Sequence, residues 1–177
     1  MTRKETVKRA IHFQTPGRVP KFFFNGDLSR SDIVMVVCED WAMGPNHNAV
    51  EWGFTWDIKE GESSPMGVPH FTRIEDLDQL DDYIENCLPD VDRVDRFRRL
   101  NDVEVGDRYL LGSTFLSGFT VMMLLRGFEN LMCDLYEEPE QVRKLAEAVF
   151  GFENKLIRRM SELGFDGVAL FDDWGTQ

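Results

Sequence analysis

The apolar positions of this chain fall into blocks whose spacing changes along its length. Thr2 and Glu5 have the T-x-x-E spacing of a capping box, and Val7, Ala10 and Ile11 share one face. A short helix is therefore predicted before the break at Pro16-Gly17. Val19 to Asn25 is a compact apolar run, with Pro20 near its start and Gly26-Asp27 after it, which predicts a buried strand and a turn. Ile33 to Cys38, rich in Val, reads as a second strand, although periodicity alone leaves a buried helix open. Residues 42–71 are broken up by Gly, Pro and Ser and predict irregular chain, with a short extended piece at Trp52-Gly53-Phe54-Thr55-Trp56. Thr72 and Glu75 repeat the capping-box spacing ahead of Leu77, Leu80 and Ile84 at helical intervals. A further short helix is predicted from Val91 to Leu100.

The remainder is more regular. Tyr109 to Phe115 predicts a buried strand, and a helix follows from about Phe119, with Val121, Leu124, Leu125, Phe128, Leu131, Met132 and Leu135 along one side. Pro139 occupies a first-turn position, the apolar spacing continues from Val142 to Leu163, and Gly164 stands where a helix-terminating glycine belongs. Gly167 to Phe171 is a last short strand, with Asp172-Asp173-Trp174-Gly175 at its C-terminal end. Strand, helices, strand is a parallel α/β pattern, and continuous apolar strands fit a sheet covered on both faces. No helical pattern follows the last strand before Gln177. The expectation is an α/β fold: residues 1–177 as a single partial domain, the N-terminal part (about four strands) of a (β/α)8 TIM barrel truncated at its C-terminus.

Charge narrows the function classes. With 20 Lys+Arg against 32 Asp+Glu, the formal net charge is −12. Such a balance disfavours binding to duplex nucleic acid or to an anionic membrane, since both need a basic face. Tyr109 to Leu125 is the longest uncharged stretch, but Gly112, Ser113, Thr114, Ser117 and Gly118 interrupt it, so it predicts core rather than a membrane span. The 3 Cys are far apart and form no CxxC pair, and the charged N-terminus lacks a secretory signal pattern, so a cytoplasmic location is expected.

Four segments together resemble the uroporphyrinogen decarboxylase family. Thr2-Arg3-Lys4-Glu5 to Gly17-Arg18-Val19-Pro20 resembles its opening helix and "D-R-x-P" lead into the first strand, with Gly17 where Asp is usual. Tyr109 to Met122 resembles the third strand and the helix after it. Arg126-Gly127-Phe128-Glu129-Asn130-Leu131 and Leu135 to Val142 resemble the stretch that ends "P-E-x-V". Gly164-Phe165-Asp166-Gly167 to Trp174 resembles "G-A-D-x-(apolar)-D-x-W", the fourth strand and its tip. The resemblance implies a (β/α)8 barrel, a fold of about 250 residues or more, with active-site residues at the C-terminal strand tips.

The family holds decarboxylases of the uroporphyrinogen acetate side chains and a branch resembling cobalamin-linked methyltransferases. The decarboxylase branch has an "R-Q-A-G-R" segment after the first strand. Asn25-Gly26-Asp27-Leu28-Ser29-Arg30 stands there instead, and Glu51 to Trp56 and Asp172 to Gln177 look closer to the methyltransferase branch. That branch implies zinc held by a His-x-Cys pair and a later Cys, and a corrinoid. His12, His47, His70, Cys38, Cys87 and Cys133 form no such pair, so zinc is expected only for a complete protein. The alternatives are porphyrin-pathway decarboxylation and a non-catalytic half-barrel that pairs with itself or with a second chain.

The strand-tip rule selects the candidate residues. Asp172 and Asp173 are the catalytic candidates, because adjacent carboxylates at a tip can orient substrate or hold a proton. The bland alternative is that one caps a following helix while the other is solvated. Asn25, Asp27, Trp174 and Gln177 are substrate-binding candidates on the same rule, and the resemblance implies that Asp40 corresponds to the decarboxylase branch's Asp after the second strand. Glu51, Trp52 and Trp56 form either a lid or a packed hairpin.

Overall fold

In the computed structural model of the chain, residues 1–23, 28–40, 49–56, 69–93 and 95–172 are described. The predicted first helix forms as α1 (Arg3–Ile11), where the Thr2 hydroxyl accepts from the Glu5 N–H at 3.1 Å. The other elements follow as β1 (Ile33–Val37), β2 (Thr55–Trp56), β3 (Pro69–Phe71), α2 (Leu80–Asn86), β4 (Tyr109–Thr114), α3 (Gly118–Arg126), α4 (Phe128–Glu137), α5 (Pro139–Glu162) and β5 (Gly167–Leu170). β1, β4 and β5 form a parallel sheet of three strands in that order, with Ile33 opposite Tyr109 and Val37 opposite Ser113. The mixed α/β architecture is as expected and is compatible with part of an α/β barrel. No helix among the described residues is long and apolar enough to cross a membrane.

Several expected elements differ. The strand predicted over Val19–Asn25 does not form across its described residues, 19–23. There the backbone bonds to Asp32 and Ser31 instead of joining a ladder: the Lys21 N–H donates to Asp32 Oδ2 at 2.7 Å and the Asp32 N–H to the Lys21 carbonyl at 2.8 Å. The helix expected to run on from Phe119 breaks at Gly127, whose φ of 86° lies outside helical space and divides α3 from α4. The capping box lies at Asp76 and Gln79 rather than at Thr72 and Glu75. Among the described residues, the helix predicted over Val91 to Leu100 is replaced by turns and the 3-10 helix Arg98–Asp102.

The chain packs as two compact units. The first comprises Met1–Cys38, Val94–Thr114 and Ile157–Ala169. Its core gathers Val7, Val34, Val36, Cys38, Leu110 and Met160. A Cβ on Gly112 would lie 2.5 Å from Met160 Sδ, so the bare glycine is what lets the end of α5 close on β4. Lys4 and Lys8 reach Asp166 at 2.7 and 3.5 Å and tie α1 to the start of β5. Arg18 grips Asp32 through paired bonds of 2.6 Å.

These two carboxylates make stability pH-dependent. The Arg18 guanidinium holds Asp32 below its ordinary value, against the opposing effect of burial. Burial is the largest influence on Asp166 and pushes it up, but Lys4, the Leu110 N–H and Lys8 together outweigh it and hold that group low. A carboxyl lowered on folding contributes stability above its unfolded value, lost as pH falls through its folded one. Asp32→Asn is therefore expected to destabilise the protein at neutral pH and to flatten its acid unfolding below about pH 4. Thermal melts across the acid range check this, and a variant with an unchanged acid limb would refute it.

The second unit comprises Glu39–Arg93, Phe115–Leu156 and Leu170–Gln177. Its core holds Trp52, Phe54, Ile74, Leu80, Tyr83, Val121, Leu125, Leu131, Val149 and Leu156, each at most 1% exposed. β2 pairs antiparallel with β3, which turns Trp56 inward onto Phe54, the ring centroids 5.3 Å apart. The Tyr83 hydroxyl donates to the Trp52 carbonyl at 2.9 Å.

Candidate functional site

Each strand of the parallel sheet runs into a carboxylate just past its C-terminal end or faces one across the turn that follows. Beyond β1 stands Glu39, 2% exposed. Its Oε1 accepts from the Phe115 N–H, through a short contact, and from the Leu116 N–H at 2.8 Å. Phe115 and Leu116 form the turn from β4 into α3, so one carboxylate satisfies two donors of that turn.

The start of α3 draws on two more. Ser117 is the N-cap, but its hydroxyl donates to the Phe171 carbonyl at 2.6 Å and leaves the helix N–H groups to others. The Gly118 N–H donates to Glu153 Oε1 on α5 at 2.5 Å. The Phe119 N–H donates to Asp172 Oδ2, and the Thr120 N–H and hydroxyl donate to Asp172 Oδ1, each at 2.9 Å. Negative charge at a helix start is favourable, because the open N–H groups carry partial positive charge. Gly118 is required on two grounds: its φ is +52°, and a Cβ there would collide with Asp172 Oδ2. Burial, with Asp172 adding to it, pushes the Glu153 carboxyl above its ordinary value, although the Gly118 N–H pulls the other way.

A second acidic group surrounds Asp40. Its carboxylate makes a short ion pair with Arg93, and Arg93 also lies 3.9 Å from Glu51 Oε2. The backbones of Asp40 and Glu51 are joined by the Glu51 N–H donating to the Asp40 carbonyl at 2.8 Å. The Asp40 and Glu51 carboxylates are 7% and 3% exposed, so the guanidinium answers charge that burial would otherwise penalise.

A family model, "Uroporphyrinogen decarboxylase (URO-D)", matches residues 48–177. The chain belongs to the uroporphyrinogen decarboxylase family. Comparison with curated proteins and with solved structures returned no match. The URO-D match takes in Glu51, Arg93, the start of α3, Glu153 and Asp172, while Glu39 and Asp40 precede it. The segments 109–122, 126–142 and 164–174 that resembled the family all lie within it.

Against this URO-D frame the sequence-derived candidates divide. Asp172 caps a helix, yet the helix is α3, which precedes it in the chain, not one that follows. Asp40 is buried in its group with Arg93 and Glu51. Asn25, Asp27, Asp173, Trp174 and Gln177 lie outside the described residues. Trp52 and Trp56 are 1% and 4% exposed, packed as a hairpin would pack them. Sequence reading passed over Glu153 and Arg93. Glu153 did carry a signal, since it occupies the apolar face of α5 at helical spacing between Val149 and Leu156. Among the described residues, no three His, Cys, Asp or Glu side chains gather as metal ligands. Cys38 is buried with its thiol on the Val36 carbonyl, Cys87 meets Arg73 and Cys133 is exposed. This donor set among the described residues does not fit the thiolate zinc of the methyltransferase-like branch.

Proposed function

We propose that the chain supplies strand-end residues of a URO-D-type site serving corrinoid-linked methyl transfer, rather than decarboxylation of uroporphyrinogen. The observation that carries this reading is the charge at the strand ends. Glu39 and Asp172 follow β1 and β5 in the chain, Glu153 and Asp172 both bond the start of α3, and Arg93 spends its charge on Asp40 and Glu51. A substrate with eight carboxylates would approach a protein of its own sign, of net charge −12. A corrinoid carries amide groups around its rim, which donate to carboxylates without that repulsion. When bound, it would supply a methyl group on cobalt. The residues of this chain would hold the ring's edge and, through α3, keep the strand ends in register.

Equilibrium dialysis with hydroxocobalamin and with uroporphyrin tests the choice. The expected result is retention of hydroxocobalamin and exclusion of uroporphyrin, with uroporphyrin binding rising as salt screens the repulsion. Retention of uroporphyrin at low salt, with conversion of uroporphyrinogen acetates to methyl groups and carbon dioxide, would overturn the proposal in favour of decarboxylation.

A further inference from the structure

Among the described residues, the most exposed large apolar side chain also has a backbone conformation that suits it poorly. Phe13 is 98% exposed, and its φ is +55°. It is the first residue past His12, the C-cap of α1. The Phe13 N–H donates to the Ala10 carbonyl at 3.1 Å and the Gln14 N–H to the Arg9 carbonyl at 2.8 Å. This paired closure ends a helix through one left-handed residue, a place that glycine fills without strain. A bulky residue there is an outlier, and a ring this exposed gains no packing within the monomer to offset it.

The same compact unit carries a cavity of suitable size. Leu28, Val34 and Met35 line a space of about 250 Å³ whose rim holds Asp102, Glu104 and Arg108. An apolar cavity of about 150 Å³ accepts benzene, so a phenyl ring has room here. Arg108 is fixed by the carbonyls of Leu28 and Val105, at 2.9 and 3.1 Å, and by a short contact to that of Glu104. A guanidinium held in this way can face an inserted aromatic ring.

Charge indicates the partner. Residues 1–21 hold six Lys or Arg and one Glu, in a protein of net charge −12. Lys4 and Lys8 lie against Asp166, and Arg18 against Asp32, yet the side chains of all three bases remain more than 40% exposed. An anionic membrane would meet this basic stretch together with the acidic remainder of the protein. A second copy of the chain instead offers an apolar cavity with two acids on its rim.

We propose that the chain self-associates through Phe13, whose ring enters the cavity at Leu28, Val34 and Met35 of a second copy. Knob and cavity belong to one compact unit, and two copies related by a two-fold axis make the contact twice, which closes a dimer. This association is independent of the reaction proposed above.

Sedimentation velocity from about 5 to about 500 μM protein tests it. The wild type is expected to show a reversible monomer–dimer equilibrium that weakens as salt rises. Phe13→Gly removes the ring and relaxes the helix closure. It is expected to weaken association by about tenfold or more, with a melting temperature at the lowest concentration that is unchanged or raised. Glu104→Lys reverses a rim charge and is expected to weaken association as well. A wild type that stays monomeric throughout, or F13G dimers as tight as wild type, would overturn the proposal. An E104K variant as tight as wild type would overturn the assignment of the cavity. Pelleting with phosphatidylglycerol vesicles, lost in F13G, would assign Phe13 to a membrane surface instead.

Discussion

Arg126→Met is expected to lower the free energy of unfolding by about 3–5 kcal/mol, the cost of stranding a buried charge. Arg126 is 9% exposed at the end of α3. Its Nε bonds Asp134 Oδ2 on α4 at 2.6 Å, and another nitrogen donates to the Glu75 carbonyl at 2.6 Å and the Ile74 carbonyl at 3.3 Å. One guanidinium thus joins the segment before α2 to both helices that flank Gly127. Methionine fills similar space but leaves Asp134, 6% exposed, without its cation and both carbonyls without this donor. Urea unfolding measures the effect. The double variant Arg126→Met/Asp134→Leu should recover part of the loss, because no unpaired charge remains. A single-variant loss below about 1 kcal/mol would show that the pair behaves as an exposed one.

Trp52→Ala should cost a similar amount, about 3–5 kcal/mol, by opening a large cavity. The indole is 1% exposed and meets the Phe152 ring edge-on, with centroids 4.9 Å apart. Its Nε1 is buried without a hydrogen-bond partner, and that refines the prediction. An unsatisfied buried N–H already costs free energy, so Trp52→Phe should lose much less than the change in volume implies. Denaturation midpoints of the two variants separate these terms. Equal losses would show that the indole nitrogen is satisfied in solution.

The contrast between Asp172 and Glu153 shows how far a strand-tip argument reaches. Position alone put Asp172 at the end of a parallel strand, and it is there. Its bonds to Phe119 and Thr120 span more than fifty residues of chain, and no local spacing announces them. Glu153 lies on the apolar face of α5, and the fold brings it to the start of α3. Arg93 is similar: it lies in a stretch read as a short helix and instead delivers its charge to Asp40 and Glu51. The family assignment was legible earlier, because it rests on the order of turn residues, apolar runs and tip acids along the chain, and the match over 48–177 bears it out.

By itself, the sequence determined α1, the strands at Tyr109–Thr114 and Gly167–Leu170, the long helix α5 and the parallel α/β class, while Ile33–Val37 was settled as a strand by its pairing with β4. Each follows from local spacing, capping and apolar runs, which act over a few residues. Tertiary structure alone decided that Val19–Phe23 bonds to Asp32 and Ser31 instead of a ladder, that Gly127 divides one apolar stripe into two helices, and that Glu39, Glu153 and Asp172 converge on Phe115–Thr120. Those outcomes depend on which backbone donors lack a partner once the elements pack. A carboxylate that answers such a donor can come from any part of the chain that packing brings near.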